Sequence, residues 1–85
     1  MVDKIIRLEN DKSYVILDET LLDNTRYYFG LRLNEKEEPI NNYLFFEETM
    51  IDNDVFLTPI EDKNMRGLLL TAFTVNFLDK VYDEV

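Results

Sequence analysis

The last quarter of the chain constrains the fold more than any other stretch. Residues 62–85, DKNMRGLLLTAFTVNFLDKVYDEV, form the one segment both long enough and apolar enough for a substantial helix. Met65, Leu68, Leu69, Ala72 and Phe73 recur at intervals of three and four, and Phe77 and Val81 continue the row, the spacing of one helix face. Glu61 and Asp62 put negative charge at the partly positive helix start, and Asp62 or Asn64 has an oxygen that can cap the first turn. Pro59 discourages helix from running back through Thr58. Gly67 opposes the helix by about 1 kcal/mol relative to alanine, and Thr74 and Val75 are β-branched. At the far end Asp79, Asp83 and Glu84 outweigh Lys80, the wrong sign for the dipole, so fraying is expected beyond Tyr82.

A second apolar row, Leu68, Val75, Leu78 and Tyr82, lies to one side of the first on a helical wheel. Either a sheet curls round the helix and buries both rows, or the second row faces a partner chain. Exposed apolar rows of this length mark interfaces. Val75, Leu78 and Tyr82 are the candidate contacts, with a second copy or a target protein as the partner.

Upstream the chain reads as short strands. Residues 4–8 (KIIRL) give a first, Glu9-Asn10-Asp11-Lys12 a turn, and residues 13–17 (SYVIL), rich in aromatic and β-branched types, a second. Asp23-Asn24-Thr25 marks the next turn. Residues 27–33 alternate, with Tyr27, Phe29, Leu31 and Leu33 on one face and Tyr28, Gly30 and Arg32 on the other, the pattern of a half-buried antiparallel strand. Residues 34–41 (NEKEEPIN) read as a loop, residues 43–46 as a fourth strand with a solvated Glu47-Glu48 extension, and Asp52-Asn53-Asp54 as a turn. Residues 55–58 form a fifth strand closed by Pro59. The expected fold is α+β: a single domain over residues 1–85, with four to five antiparallel strands and one C-terminal helix packed on one sheet face.

Eighty-five residues suit one domain, and 46% hydrophobic content with six phenylalanines and five tyrosines supports a compact core rather than disorder. The chain has neither cysteine nor histidine. Thiolate chemistry, disulfides, His-metal ligation and Ser-His or Cys-His catalysis are thereby excluded. The lack of cysteine suits a reducing cytoplasm. Residues 1–4 lack a basic region followed by an apolar run, so no signal peptide is expected. Nothing approaches the eighteen or more apolar residues of a membrane span.

Carboxylate pairs are the remaining option for acid–base chemistry: Asp18-Glu19, Glu37-Glu38, Glu47-Glu48 and Asp52/Asp54. The expectation is that all lie in or beside turns, in water, and that the protein is not an enzyme. Asp52-Asn53-Asp54 resembles the start of a calcium loop, but the sixth position is Leu57 rather than glycine and the twelfth is Lys63 rather than glutamate. With only Gly30 and Gly67 there is no phosphate-binding loop. No cofactor and no metal are expected.

The order of features resembles a known family. A strand and an Asn/Asp turn precede Tyr14-Val15-Ile16-Leu17-Asp18 and a tyrosine-rich strand over 27–33. A strand with two phenylalanines and trailing acids follows at 43–48, then Leu57-Thr58-Pro59-Ile60-Glu61-Asp62 leads into a terminal helix. This plan is similar to that of the YrzB-like small acidic bacterial proteins of unknown function, from which the chain departs in its longer, more apolar helix. The resemblance implies a small antiparallel sheet plus helix and no particular chemistry.

Charge points to binding. Eighteen acidic residues face nine basic ones, a formal net charge of -9. Such a chain repels nucleic acid and anionic membrane and is drawn to basic surfaces. The candidate contact acids are Asp18, Glu19 and Asp23; Glu35, Glu37 and Glu38; Glu47 and Glu48; and Asp52 and Asp54. Duplex DNA carries about one charge per 1.7 Å of axis, so rows of carboxylates on a rigid sheet can imitate it. In size and charge the chain is similar to phage-encoded inhibitors such as uracil-DNA glycosylase inhibitors and small anti-CRISPR proteins. The expected function is a non-catalytic, protein-binding domain, most sharply an inhibitor that docks on a basic nucleic-acid-handling protein. The alternative is an assembly protein that self-associates, as a homodimer, or docks through its helix.

Overall fold

The computed structural model describes residues 2–83, with side chains through residue 79. Five strands form one antiparallel sheet in chain order: β1 (Ile5–Arg7), β2 (Ser13–Leu22), β3 (Thr25–Leu33), β4 (Pro39–Ile51) and β5 (Asp54–Pro59). The helix α1 (Lys63–Asp83) follows. The architecture is α+β, as expected. Each strand pairs with its sequence neighbour, so short turns suffice throughout.

The turns explain the meander. Asp23 and Asn24 join β2 to β3, and Asp52 and Asn53 join β4 to β5, with φ of 49°, 64°, 50° and 71° respectively. Positive φ at both central residues of a two-residue hairpin matches the twist of the strands it connects, and Asp and Asn are the non-glycine residues that tolerate this conformation best. Asn34 builds the β3–β4 turn differently: its side-chain oxygen accepts from the N–H groups of Lys36 at 2.9 Å and Glu38 at 3.0 Å.

Several strands outrun their expected ends. β2 continues past Leu17 to Leu22 because the register shifts between Ile16 and Asp18, opposite Gly30 and Phe29. Leu17 is the extra residue of a bulge, which lets the strand go on with its faces exchanged. β4 starts at Pro39, which pairs with Leu33, and runs through Glu47 and Glu48 to Ile51. Residues 39–41 are therefore strand rather than loop; proline is tolerated at a strand's first residue, where its missing N–H costs least. β5 likewise includes Pro59.

The alternation along β3 predicted one buried and one wet face, and the structure corrects this. Tyr27 and Tyr28 are both buried, at 7% and 2% exposure, because the sheet carries a core on each side. One cluster joins Tyr27, Phe45 and Ile60 to Leu69 and Phe73 of α1, with Leu22, Phe29 and Met65 against it. Phe73 lies parallel to Phe45, with centroids 5.6 Å apart and planes 7° from parallel, and 5.9 Å from Phe29. The other cluster joins Tyr14, Ile16, Tyr28 and Phe46, with Ile6, Leu8, Leu44 and Leu57 packed on it. All five strands supply a side chain to this second cluster, so the sheet curls round it without another layer. Gly30 leaves room for this packing: a Cβ there would sit 2.9 Å from the Phe46 ring.

The helix starts where its cap predicts. The Asp62 carboxylate accepts from the N–H of Asn64 at 2.8 Å and of Met65 at 3.4 Å. Among the described side chains burial narrows the expected inner row to Met65, Leu69, Ala72 and Phe73, since Leu68 and Phe77 are 55% and 62% exposed, and the Val81 side chain lies outside the described residues. The second row is not buried by the sheet. Val75 is 50% and Leu78 45% exposed, because the sheet curls round its other face. The Tyr82 side chain lies outside the described residues. No described helix is long and apolar enough to cross a membrane.

Candidate functional site

The candidate acids divide between the two ends of the sheet. At one end, the β1–β2 and β3–β4 turns and their flanks, residues 4–12 and 32–38, hold five acids, including Glu35, Glu37 and Glu38, and five bases, Lys4, Arg7, Lys12, Arg32 and Lys36. A mixed-charge cleft of about 830 Å³ opens there, lined by Arg7, Lys12, Arg32, Asp11, Glu35 and Glu37 among others. The Glu35-Glu37-Glu38 cluster is thus offset by neighbouring cations. That end is close to neutral.

The other end is different. The hairpin segments 18–26 and 47–54 carry Asp18, Glu19, Asp23, Glu47, Glu48, Asp52 and Asp54 against the single base Arg26. β3 lies between β2 and β4, and Tyr27 pairs with Glu47, so both turns project from the same end. Seven carboxylates against one guanidinium make this the strongly negative part of the surface.

Four of these acids are held by the sheet rather than by turns, which corrects the expectation that all would sit in or beside turns. Asp18 and Glu19 are on β2 and Glu47 and Glu48 on β4, and all four are half-buried. The bulge at Leu17 brings Asp18 to the side of Phe29, where it lines an apolar groove of about 440 Å³ with Leu70, Phe73 and Phe77 of α1. Glu19 accepts from the N–H of Arg26 Nη1 at 3.1 Å, which raises the pKa of the guanidinium further. Glu48 is not a solvated extension: its Oε1 accepts the Tyr28 hydroxyl proton at 2.8 Å.

This bond and burial keep the Tyr28 phenol neutral. Desolvation first, then the hydrogen bond to Glu48 and its charge, push the Tyr28 pKa up to about 12, and burial with the charge of Glu47 raises Tyr27 as well. The unfolded chain ionises these phenols near the ordinary value of 10, while the folded chain holds them protonated. Their stabilisation is therefore complete below pH 10 and is lost as pH rises from 10 toward 12. Thermal melts across this range should show a steep fall in stability that flattens in Tyr28→Phe. An equal slope in both proteins would assign the loss to other groups.

Sequence reasoning missed the apolar part of this end. Leu21, Met50, Ile51, Val55 and Phe56 are 59%, 63%, 56%, 49% and 48% exposed beside the acids. Met50 pairs with Val55 and Thr49 with Phe56, so the β4–β5 hairpin shows apolar side chains on both faces. The signal was available: hydrophobic residues flank an Asp-Asn turn on both sides, which forces the strands to run to the turn. Among the described residues no cluster of three or more acids is placed to hold a metal ion.

The fold and this surface define a small α+β meander domain with one end that is both acidic and apolar. No protein family, curated protein or solved structure matches the chain. The likeness to the YrzB-like proteins is carried only by the residues quoted for it.

Proposed function

We propose that the chain is a non-catalytic domain that binds a basic protein through the hairpin end, in its sharpest form an inhibitor occupying the nucleic-acid site of that partner. The observation that supports this reading is the asymmetry of charge: seven acids against one base at one end of the sheet, and five against five at the other. Exposed Met50, Ile51, Val55 and Phe56 offer the apolar centre that a protein interface needs, with carboxylates as its rim. Steering by such a rim raises the rate of encounter with a cationic surface and rejects anionic ones. The reading takes α1 as a layer laid across the opposite side of the sheet from the curl, anchored by Leu69 and Phe73, which stiffens the strands that carry the acids.

The test compares three immobilised chains in a bacterial lysate: the wild type, Asp23→Lys/Asp52→Lys/Asp54→Lys, and Glu35→Lys/Glu37→Lys/Glu38→Lys. The wild type and the second variant should retain one basic nucleic-acid-binding protein, released by about 0.5 M salt, where screening is nearly complete within a few Å. The hairpin-end variant should lose it, and the partner should lose its hold on DNA or RNA in the presence of the wild type. Retention by the hairpin-end variant, or binding indifferent to salt, would defeat the proposal.

A further inference from the structure

We infer that β5 takes up an extended, basic segment of the partner as an added strand of the sheet, so that docking uses backbone pairing as well as charge. This deepens the proposed binding of a basic protein and rests on that reading. The sheet ends in β1 on one side and in β5 on the other. An edge strand presents a row of unpaired N–H and C=O groups, and proteins blunt such edges with short strands, lysine or bulges. β1 is blunted: it has three residues and ends in Arg7. β5 is six residues long, has no lysine or arginine, and pairs with β4 without a register shift. Its one proline is its last residue, Pro59. Among the described residues no strand pairs with its outer side, and Asp54, Val55, Phe56 and Thr58 are exposed.

Register decides which backbone groups are open. The Asp52-Asn53 hairpin closes on the pair Ile51 and Asp54, and the closing pair of a two-residue hairpin exchanges both of its backbone hydrogen bonds. Alternation along the ladder then makes Thr49 with Phe56 and Glu47 with Thr58 bonded pairs, and leaves Met50 with Val55 and Glu48 with Leu57 unbonded. The N–H and C=O groups of Val55 and Leu57 therefore point away from β4, where an added strand can reach them. Pro59 occupies the next position of that series, where its missing N–H costs the sheet nothing. Charge selects what is added. Residues 47–62 carry six acids and no base. Glu47 and Glu48 pair with Thr58 and Leu57, Asp54 opens the strand, and Glu61 and Asp62 follow it. Lysine or arginine at alternate positions of an added strand would stand near these carboxylates, and opposite charges on neighbouring strands stabilise pairing. A second copy would set the same acids against themselves, which opposes pairing of β5 with β5.

Amide hydrogen exchange followed by NMR tests this one residue at a time. The probe is a short peptide of alternating lysine and valine, capped at both ends and added to saturation at low salt; its glutamate–valine counterpart is the control. The lysine peptide should slow exchange at Val55 and Leu57 about 10-fold or more, while Phe56, already bonded to Thr49, is protected with or without it. The glutamate peptide should slow neither. Val55→Pro removes an outward N–H where proline breaks no bond to β4, and should weaken the lysine peptide about 10-fold or more with unchanged circular dichroism. Val55→Thr keeps the N–H and should bind as the wild type does. The inference is overturned by a lysine peptide that leaves Val55 and Leu57 exchanging freely, by equal protection from the glutamate peptide, or by equal binding to Val55→Pro. Protection of both amides in the free protein as its concentration rises would assign the edge to a second copy and overturn it too. In the lysate, loss of the basic protein by Val55→Pro supports strand addition. Its retention by Val55→Pro but not by Asp23→Lys/Asp52→Lys/Asp54→Lys would sink strand addition and leave the charge-based reading standing. A wild type that retains no basic protein would overturn both.

Discussion

Phe46→Ala is expected to remove about 3–5 kcal/mol of stability, much of the roughly 5–15 kcal/mol by which a domain of this kind is folded. Phe46 is 0% exposed and sits at the centre of the curled face, edge-on to Tyr14 with centroids 5.6 Å apart. Its ring also lies over Gly30, close enough that a Cβ would stand 2.9 Å away. Side chains from every strand meet in this cluster or against it. The cavity left by alanine is bounded by hydrogen-bonded strands that cannot collapse into it, which places the cost at the upper end for such a truncation. Urea unfolding followed by far-ultraviolet circular dichroism measures the loss. A change below about 1 kcal/mol would mean that the curled face is loosely packed and is not what holds the sheet together.

Phe73→Ala should have a comparable local cost with a different distribution. Phe73 is 6% exposed, stacks on Phe45 at 5.6 Å and approaches Phe29 at 5.9 Å. With Leu69 it is one of the two buried side chains of α1 among the described residues. Removing the ring should cost about 3–5 kcal/mol, but it leaves the second cluster intact, since no described side chain of α1 belongs to it. Hydrogen exchange should therefore show amides of α1 losing protection before those of β2, β3 and β4, a local opening rather than global unfolding. Equal exchange free energies for helix and sheet would show that the two clusters melt as one unit.

These two substitutions separate clusters that the sequence did not distinguish. Along β3 the residues alternate in a way that suggests one wet face, because Tyr28, Gly30 and Arg32 look like an outer row. Tyrosine, however, is compatible with either environment. Its 2% exposure follows from Phe46 and Tyr14 on neighbouring strands, and its hydroxyl is satisfied by Glu48, twenty positions away. No pattern within β3 announces that partner. Glu47 and Glu48 likewise read as a solvated tail when β4 is taken to stop at Phe46; cross-strand pairing with Thr58 and Leu57 makes them strand. The Leu17 bulge is a third case: Asp18 and Glu19 look like the residues that end a strand, and only the register against Phe29 and Tyr28 carries β2 on through them.

The site divides along the same line. That the chain is acidic, lacks histidine and cysteine, and has a helix with more apolar surface than one face needs is evident from the residues themselves. Glu35, Glu37 and Glu38 form the densest acidic run in the sequence after residue 30, yet the fold sets Lys12, Arg7 and Arg32 around the same cleft. Asp23 and Asp52, which belong to separate Asp-Asn turns twenty-nine residues apart, end up at the same end of the sheet.

What the sequence determined by itself is what a few neighbouring residues decide. Asp23-Asn24 and Asp52-Asn53 take the positive φ of hairpin turns because their short side chains tolerate it. Asp62 caps α1 because its oxygen lies two and three residues from the N–H groups it serves. The helix follows from a spacing of three and four. The tertiary structure alone decided which face of the sheet would curl, where β2 and β4 would end, and which acids would stand together. Those outcomes depend on pairing and packing between residues far apart in the chain, and so on which hydrophobic surfaces meet. Charge is carried wherever the strands take it, since a solvated carboxylate has too weak a preference to direct the fold.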